Sequence, residues 1–195
     1  MNYCENVAKF EKHKKQTFMK RLFALSALVL TMVFTTNATA QKFPGLDKSP
    51  ADIASQPSSY KISKKNIRVV YSRPQLKGRL VKDLAPAGKV WRTGANEAAE
   101  ITFYADTNFG GKKVTAGTYS LFSIPGDKQW TVILNKNLNQ WGAYSYEEDA
   151  DVVRVTGKVS KNKESLEAFS ITFTDTDMVM GWGTTLVSVP YAVSM

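Results

Sequence analysis

Cysteine and histidine are almost missing from this chain: its 195 residues hold one of each, Cys4 and His13. Both fall in the first forty residues, which read as a removable leader. A working chain without either excludes disulfides, thiolate nucleophiles, Ser-His-Asp triads and His/Cys zinc sites. Long apolar runs are absent after the N-terminus, so nothing there reads as a membrane-crossing helix. Beyond the leader, no basic run exceeds Lys64-Lys65 or Lys112-Lys113. Spread lysines suit a solvated surface better than a nucleic-acid face. Gly110-Gly111-Lys112-Lys113 lacks the spacing and the Ser/Thr of a phosphate loop and reads as a hairpin turn. Asp175-Thr176-Asp177 does not continue into a calcium loop, because Val179 stands where a ligand is needed. No cofactor and no metal are expected.

What the N-terminus does contain is an address. Lys20-Arg21 precedes an apolar stretch from Leu22 to Phe34, and Ala38-Thr39-Ala40 follows as a small-x-small triplet. That order describes a secretory signal peptide, residues 1–40, with cleavage expected after Ala40. The competing reading is an uncleaved anchor, but the stretch is shorter than the roughly 20 residues a spanning helix needs. Met19 reads as the start, with residues 1–18 an extension. The whole chain carries 26 basic against 17 acidic residues, net +9. Residues 1–40 take six basic residues and two acids, leaving 20 against 15 on 155 residues, net +5. The pull toward nucleic acid weakens with the charge. An exported protein is expected, periplasmic rather than extracellular, because no sorting segment follows the last strand.

Residues 41–64 read as an extended lead-in arm, with Ser49-Pro50 able to open one helical turn. From residue 65 onward the pattern is strand-like. Ile67, Val69 and Tyr71 alternate with Arg68, Val70 and Ser72. Ile101, Phe103 and Ala105 repeat the period. Thr118–Ile124 and Trp130–Asn135 flank a Pro125-Gly126-Asp127-Lys128 turn and form a hairpin. Trp130–Leu134 is apolar on both faces, as in a central strand. Val153–Val159 and Phe169–Phe173 are further strands, separated by an expected turn at Ser160–Lys163. Met178–Val189 adds another, with a bend at Gly181-Trp182-Gly183. No stretch shows a convincing 3.6-residue apolar face. The expectation is an all-β chain: one antiparallel β-sandwich or jelly-roll-like domain over residues 65–195.

Two polar clusters stand out. One runs through Arg73, Lys77 and Arg79 to Trp91, Arg92, Asn96 and Glu97. Arg92 can grip a carboxylate or phosphate with two parallel bonds, Trp91 offers a flat face, and Gly94 permits a sharp turn. The bland alternative is that Arg92 and Glu97 pair internally and pin the loop. The other cluster holds Trp141 and Tyr144 beside Glu147, Glu148, Asp149, Asp151 and Arg154. Rings beside acids and amides suit sugar binding, and equally suit a corner of a core.

Several strings together resemble a known family: Arg73-Pro74-x-x-Lys77-Gly78-Arg79, Trp91-Arg92-Thr93-Gly94-Ala95-Asn96-Glu97, Ala116-Gly117-Thr118-Tyr119-Ser120-Leu121 and Trp141-Gly142-Ala143-Tyr144. In this order they resemble domain-of-unknown-function family 2911, from roughly Ile67 to Tyr191. Lys82 and Ala87 depart from its pattern, where a Gly and a Tyr are more usual. The resemblance implies an exported, β-rich bacterial domain and names no catalytic residue.

Three function classes stay open. The first is a non-enzymatic periplasmic binding module for a small polar ligand, anionic or carbohydrate-like, using Arg73, Lys77, Arg79, Trp91, Arg92, Asn96, Glu97, Trp141 and Tyr144. The second is a glycan hydrolase resting on two carboxylates such as Glu97 and Asp151. The third is a structural envelope protein without a small-molecule site. Nothing in the sequence speaks to oligomeric state, and no nucleic-acid partner is expected.

Overall fold

The computed structural model describes residues 11–23 and 41–194. Residues 11–23 are helical and exposed; most of the expected signal peptide, including its cleavage site, lies outside the described residues. No helix among the described residues is long and apolar enough to cross a membrane. A compact unit spans Leu46–Met195, and the site described below lies within it.

Nine strands build that unit. They are β1 (Ala51–Gln56), β2 (Ile67–Ser72), β3 (Ala99–Phe103), β4 (Thr107–Phe109), β5 (Lys112–Val114), β6 (Gly117–Ile124), β7 (Gln129–Asn135), β8 (Asp151–Phe173) and β9 (Asp177–Val193). All neighbours are antiparallel, in the order β1-β2-β3-β6-β7-β8-β9-β4-β5. The all-β expectation holds, but the strands form one continuous sheet rather than two separate ones. The chain beyond β2 turns back onto β8: Leu76 N–H donates to Glu167 O and Phe169 N–H to Pro74 O, both at 2.9 Å.

β7 occupies the middle of the strand order, as its two-faced apolarity predicts. Trp130, Val132 and Leu134 enter the main core, and Ile133 enters a smaller one behind the sheet. In the main core Trp91 stacks on Trp182 with centroids 5.5 Å apart, while Trp130 and Phe169 meet Trp91 edge-on. Burying such a ring is worth about 1.5–3 kcal/mol by area alone. The smaller cluster, Ala98, Phe122 and Ile133, is capped by Ala143 and Tyr146 from the connection between β7 and β8.

Two local expectations change. The segment with the expected helical turn contains β1, an edge strand in register from Ala51↔Ser72 to Gln56↔Ile67. Tertiary pairing outweighs its weak periodicity, and an Arg73–Asp52 ion pair at 3.2 Å ties it down. Ser160–Lys163 is no turn: β8 runs through it. From Lys161 to Leu166 to Ser170, β8 outruns its partner, which moves only from Thr185 to Gly183 to Gly181. Between Lys161 and Leu166 the surplus residues form a largely exposed bulge with turn-like composition, whereas those before Ser170 include the buried Phe169 and pair with residues 74–76.

Candidate functional site

The connection from β2 to β3 crosses the sheet end at Trp91, whose backbone exchanges hydrogen bonds with Ser123 at 2.7 and 2.9 Å. The chain then folds sharply through residues 92–97. Thr93 (φ 49°) and Asn96 (φ 60°) adopt left-handed backbone. For an asparagine that is tolerable; for a β-branched threonine it is an outlier. Thr93 is fully buried and held there by a 2.9 Å bond between its hydroxyl and that of Ser123.

This turn meets the distant segment 139–144. Glu97 and Trp141 form an isolated antiparallel bridge. Ala98 N–H donates to Gln140 O at 2.8 Å and Gly142 N–H to Asn96 O at 2.9 Å. Those bonds flank the pair, so Glu97 and Trp141 are its non-hydrogen-bonded members and their side chains leave the same face, with Cβ atoms about 4.5–5.5 Å apart. Asn139 (φ 57°) and Gly142 (φ 70°) shape the second strand of the seam. At Gly142 a Cβ would lie 2.8 Å from the Tyr144 ring and 3.5 Å from Arg92 Nη1, and its left-handed φ favours glycine. Strained backbone thus gathers at one place, which is where functional loops store it.

Beside the seam runs a groove of about 140 Å³, lined in part by Ser72, Glu97, Glu100 and Asn139. Glu100 accepts the Asn139 N–H at 2.9 Å. Glu97 is exposed and makes no side-chain bond among the described residues. Trp141 and Tyr144 are 63% and 84% exposed, unlike the other three tryptophans.

The remaining expected residues are scattered. Trp91 is a core ring with no free face. Arg73 is spent on structure: Nε donates to Phe169 O at 3.0 Å, Nη2 to Ser170 Oγ at 2.6 Å and Nη1 to Asp52 at 3.2 Å. Arg79 closes its own turn on Leu76 O and Gln75 O. Lys77 is exposed, its backbone N–H bonded to Glu167. Asn96 hydrogen-bonds Asp47; with the Ser49 N–H, the larger influence, it holds that carboxyl below its ordinary range. Arg92 forms no ion pair with Glu97, and its Nε is buried without a hydrogen-bond partner, as is Gln140 Oε1. Glu100 and Asn139 escaped sequence reasoning, while Ser72 and Gln140 fall within the two polar clusters of the sequence without standing out as binding residues. They reach the seam by long-range pairing, which no local pattern encodes.

Asp151 sits in a closed network. It accepts from Asn135 Nδ2 at 2.8 Å, Tyr146 Oη at 2.6 Å and Arg154 Nε at 2.7 Å. Arg154 also reaches Glu148 at 3.1 Å. Burial, then the bond to Asp151, pushes the Tyr146 phenol up to about 12. The network clamps the base of the segment carrying Trp141 and Tyr144. A carboxylate so engaged is poorly placed to act as acid, base or nucleophile, which weakens the two-carboxylate reading. Among the described residues no three His, Cys, Asp or Glu are grouped to hold a metal.

A family model covers residues 49–191, from just before β1 to the end of the sheet. The chain belongs to DUF2911, a family described as protein of unknown function. The matched span holds both strands of the seam, the groove and the clamp, so in this DUF2911 member they belong to the family domain itself. No curated protein and no solved structure matches the chain.

Proposed function

We propose that this DUF2911 domain is a non-enzymatic binding module for a small polar ligand, working outside the cytoplasm and within the periplasm. The carrying observation is the Glu97–Trp141 bridge. It sets an unpaired carboxylate and an exposed indole side by side at the rim of a groove. Tryptophan carries a large flat apolar face with one polar handle, the kind of ring that ligand sites use at their surface, and Trp141 is held in place there by the bridge. The groove is smaller than drug-sized pockets of about 300–1,000 Å³, so it suits one end of a ligand.

Export is supported by the leader pattern. Intact-mass analysis of protein made in a bacterial host is expected to show a chain beginning at Gln41; a full-length chain retained in the cytoplasm would overturn that part. Binding is tested by a thermal-shift screen of sugars, organic acids and phosphates. A ligand at a hundred times its Kd adds about 2.7 kcal/mol of stability. The expected hit loses its shift in Trp141→Ala and Glu97→Ala and keeps it in Lys112→Ala, on the distant β5. A shift that survives all three substitutions would overturn the seam as the site, and no shift with any ligand class would favour the structural envelope reading.

A further inference from the structure

The groove's own chemistry narrows the ligand class, on the reading that the seam is a binding site. Its lining contains no Lys and no Arg. Its polar side chains are two carboxylates, Glu97 and Glu100, one amide, Asn139, and two hydroxyls, of which Ser72 is free and Tyr71 is engaged with Asp52 and the Ile171 N–H. Glu100 spends one oxygen on the Asn139 N–H. No other side-chain bond ties up Glu97, Ser72 or the Asn139 amide among the described residues. Arg92 and Arg73 both lie outside the lining, and Arg73 is already paired with Asp52. A phosphate, sulfate or carboxylate would therefore face two negative charges with no cation to offset them. Anionic ligands are excluded by this arrangement.

Two donor-rich classes could use free carboxylates: amines and polyhydroxy compounds. Ammonium groups only donate. They leave the Ser72 O–H and the Asn139 N–H₂ without an acceptor. A sugar hydroxyl donates to Glu97 or Glu100 and accepts from Ser72 or Asn139 at once, so vicinal hydroxyls match all four groups. Across the bridge from Glu97, Trp141 offers an exposed flat apolar face. An apolar ring beside a donor–acceptor set fits a ring that is apolar on its faces and hydroxylated on its edge. We infer that the groove receives one uncharged pyranose ring, at the end of a glycan or as a free glycoside.

Titration of the purified protein, followed by tryptophan emission and by calorimetry, tests this. The probes are methyl glucoside, methyl galactoside, methyl mannoside and their disaccharides, against glucuronic acid and glucosamine. At least one neutral glycoside is expected to change the emission, and its uronic acid to bind about tenfold or more weakly, a difference of about 1.4 kcal/mol. In Glu97→Gln the neutral-to-uronic gap is expected to shrink, because one repelling charge has gone while an acceptor oxygen remains. A merely structural Glu97 would not move that ratio. Preferential binding of the uronic acid or of glucosamine would overturn the sugar assignment and leave the binding-module reading standing. No response from any probe would overturn the sugar assignment, and a thermal-shift hit from another class would then keep the module reading alive.

Discussion

Replacing Asp151 with alanine removes the centre of the clamp under the binding segment. Its side chain is only 8% exposed and accepts three hydrogen bonds. Hydrogen bonds to a charged group are worth about 1.5–3 kcal/mol each, but they do not add when they share one acceptor. Arg154 is one-third exposed and keeps Glu148 at 3.1 Å, so its charge is not stranded. Asn135 keeps the Glu147 carbonyl at 2.9 Å. The buried-pair penalty of about 3–5 kcal/mol is therefore reduced to about 3 kcal/mol. For a domain of this size that corresponds to a fall in Tm of about 6–12 °C. Asp151→Asn keeps one acceptor and is expected to lose about half as much. Urea unfolding followed by far-UV circular dichroism measures both, with the slope m unchanged if only stability moves. A loss below about 1 kcal/mol for Asp151→Ala would refute the reasoning, because a central acceptor of three bonds cannot be removed so cheaply.

Trp141 is the one exposed tryptophan among the described residues, so Trp141→Ala is expected to abolish most acrylamide-quenchable emission and leave a blue-shifted spectrum; unchanged quenching would show the ring buried in solution. Gly110 sits at φ 59°, and a Cβ there would overlap the Val155 side chain. Gly110→Ala is expected to cost about 2–4 kcal/mol, partly recovered in Gly110→Ala/Val155→Ala, where the clash is relieved. Tyr146 titrates near 12 in the fold and near 10 unfolded, so between these values the native state holds the extra proton. Stability therefore falls as pH rises from about 10 to 12 and is untouched below. Tyr146→Phe is expected to flatten that fall without removing it, since Tyr71 and Tyr191 are also raised; an identical slope would count against the clamp geometry.

The fold was legible where side chains speak for their own neighbourhood. Apolarity on both faces of Trp130–Leu134 marks β7 as central. Gly110-Gly111, both with positive φ, makes the β4–β5 turn its composition indicates. Legibility failed where a partner distant in sequence decides. Ala51–Gln56 has little pattern of its own and becomes a strand only because β2 offers an edge. Ser160–Lys163 has turn residues, but β9 supplies a partner on either side of it. The same division holds at the site. Glu97, Trp141 and Tyr144 are visible as unusual residues, yet nothing local says that residues 97 and 141 pair. Arg73 and Arg79 attract attention by charge, while the structure uses them to satisfy backbone carbonyls and a carboxylate. Trp91 looks like a free platform in the sequence and is a core ring because the chain crosses the sheet end there.

The placement of the β4–β5 hairpin bears on how the molecule assembles. Thr107–Phe109 pairs with Val193–Tyr191, about eighty residues further along the chain. The hairpin is local in sequence, yet its neighbour in the sheet is the far end of β9. Closing so large a loop before any contact rewards it slows the search, as in other β-rich topologies dominated by non-local pairing. Until β9 arrives, β4 presents an unpaired edge and Phe109 lacks part of its cover. In the finished sheet β5 is the outer strand, and its Lys112 and Lys113 discourage that edge from recruiting another chain. Completion of the sheet is thus timed by delivery of its last strand.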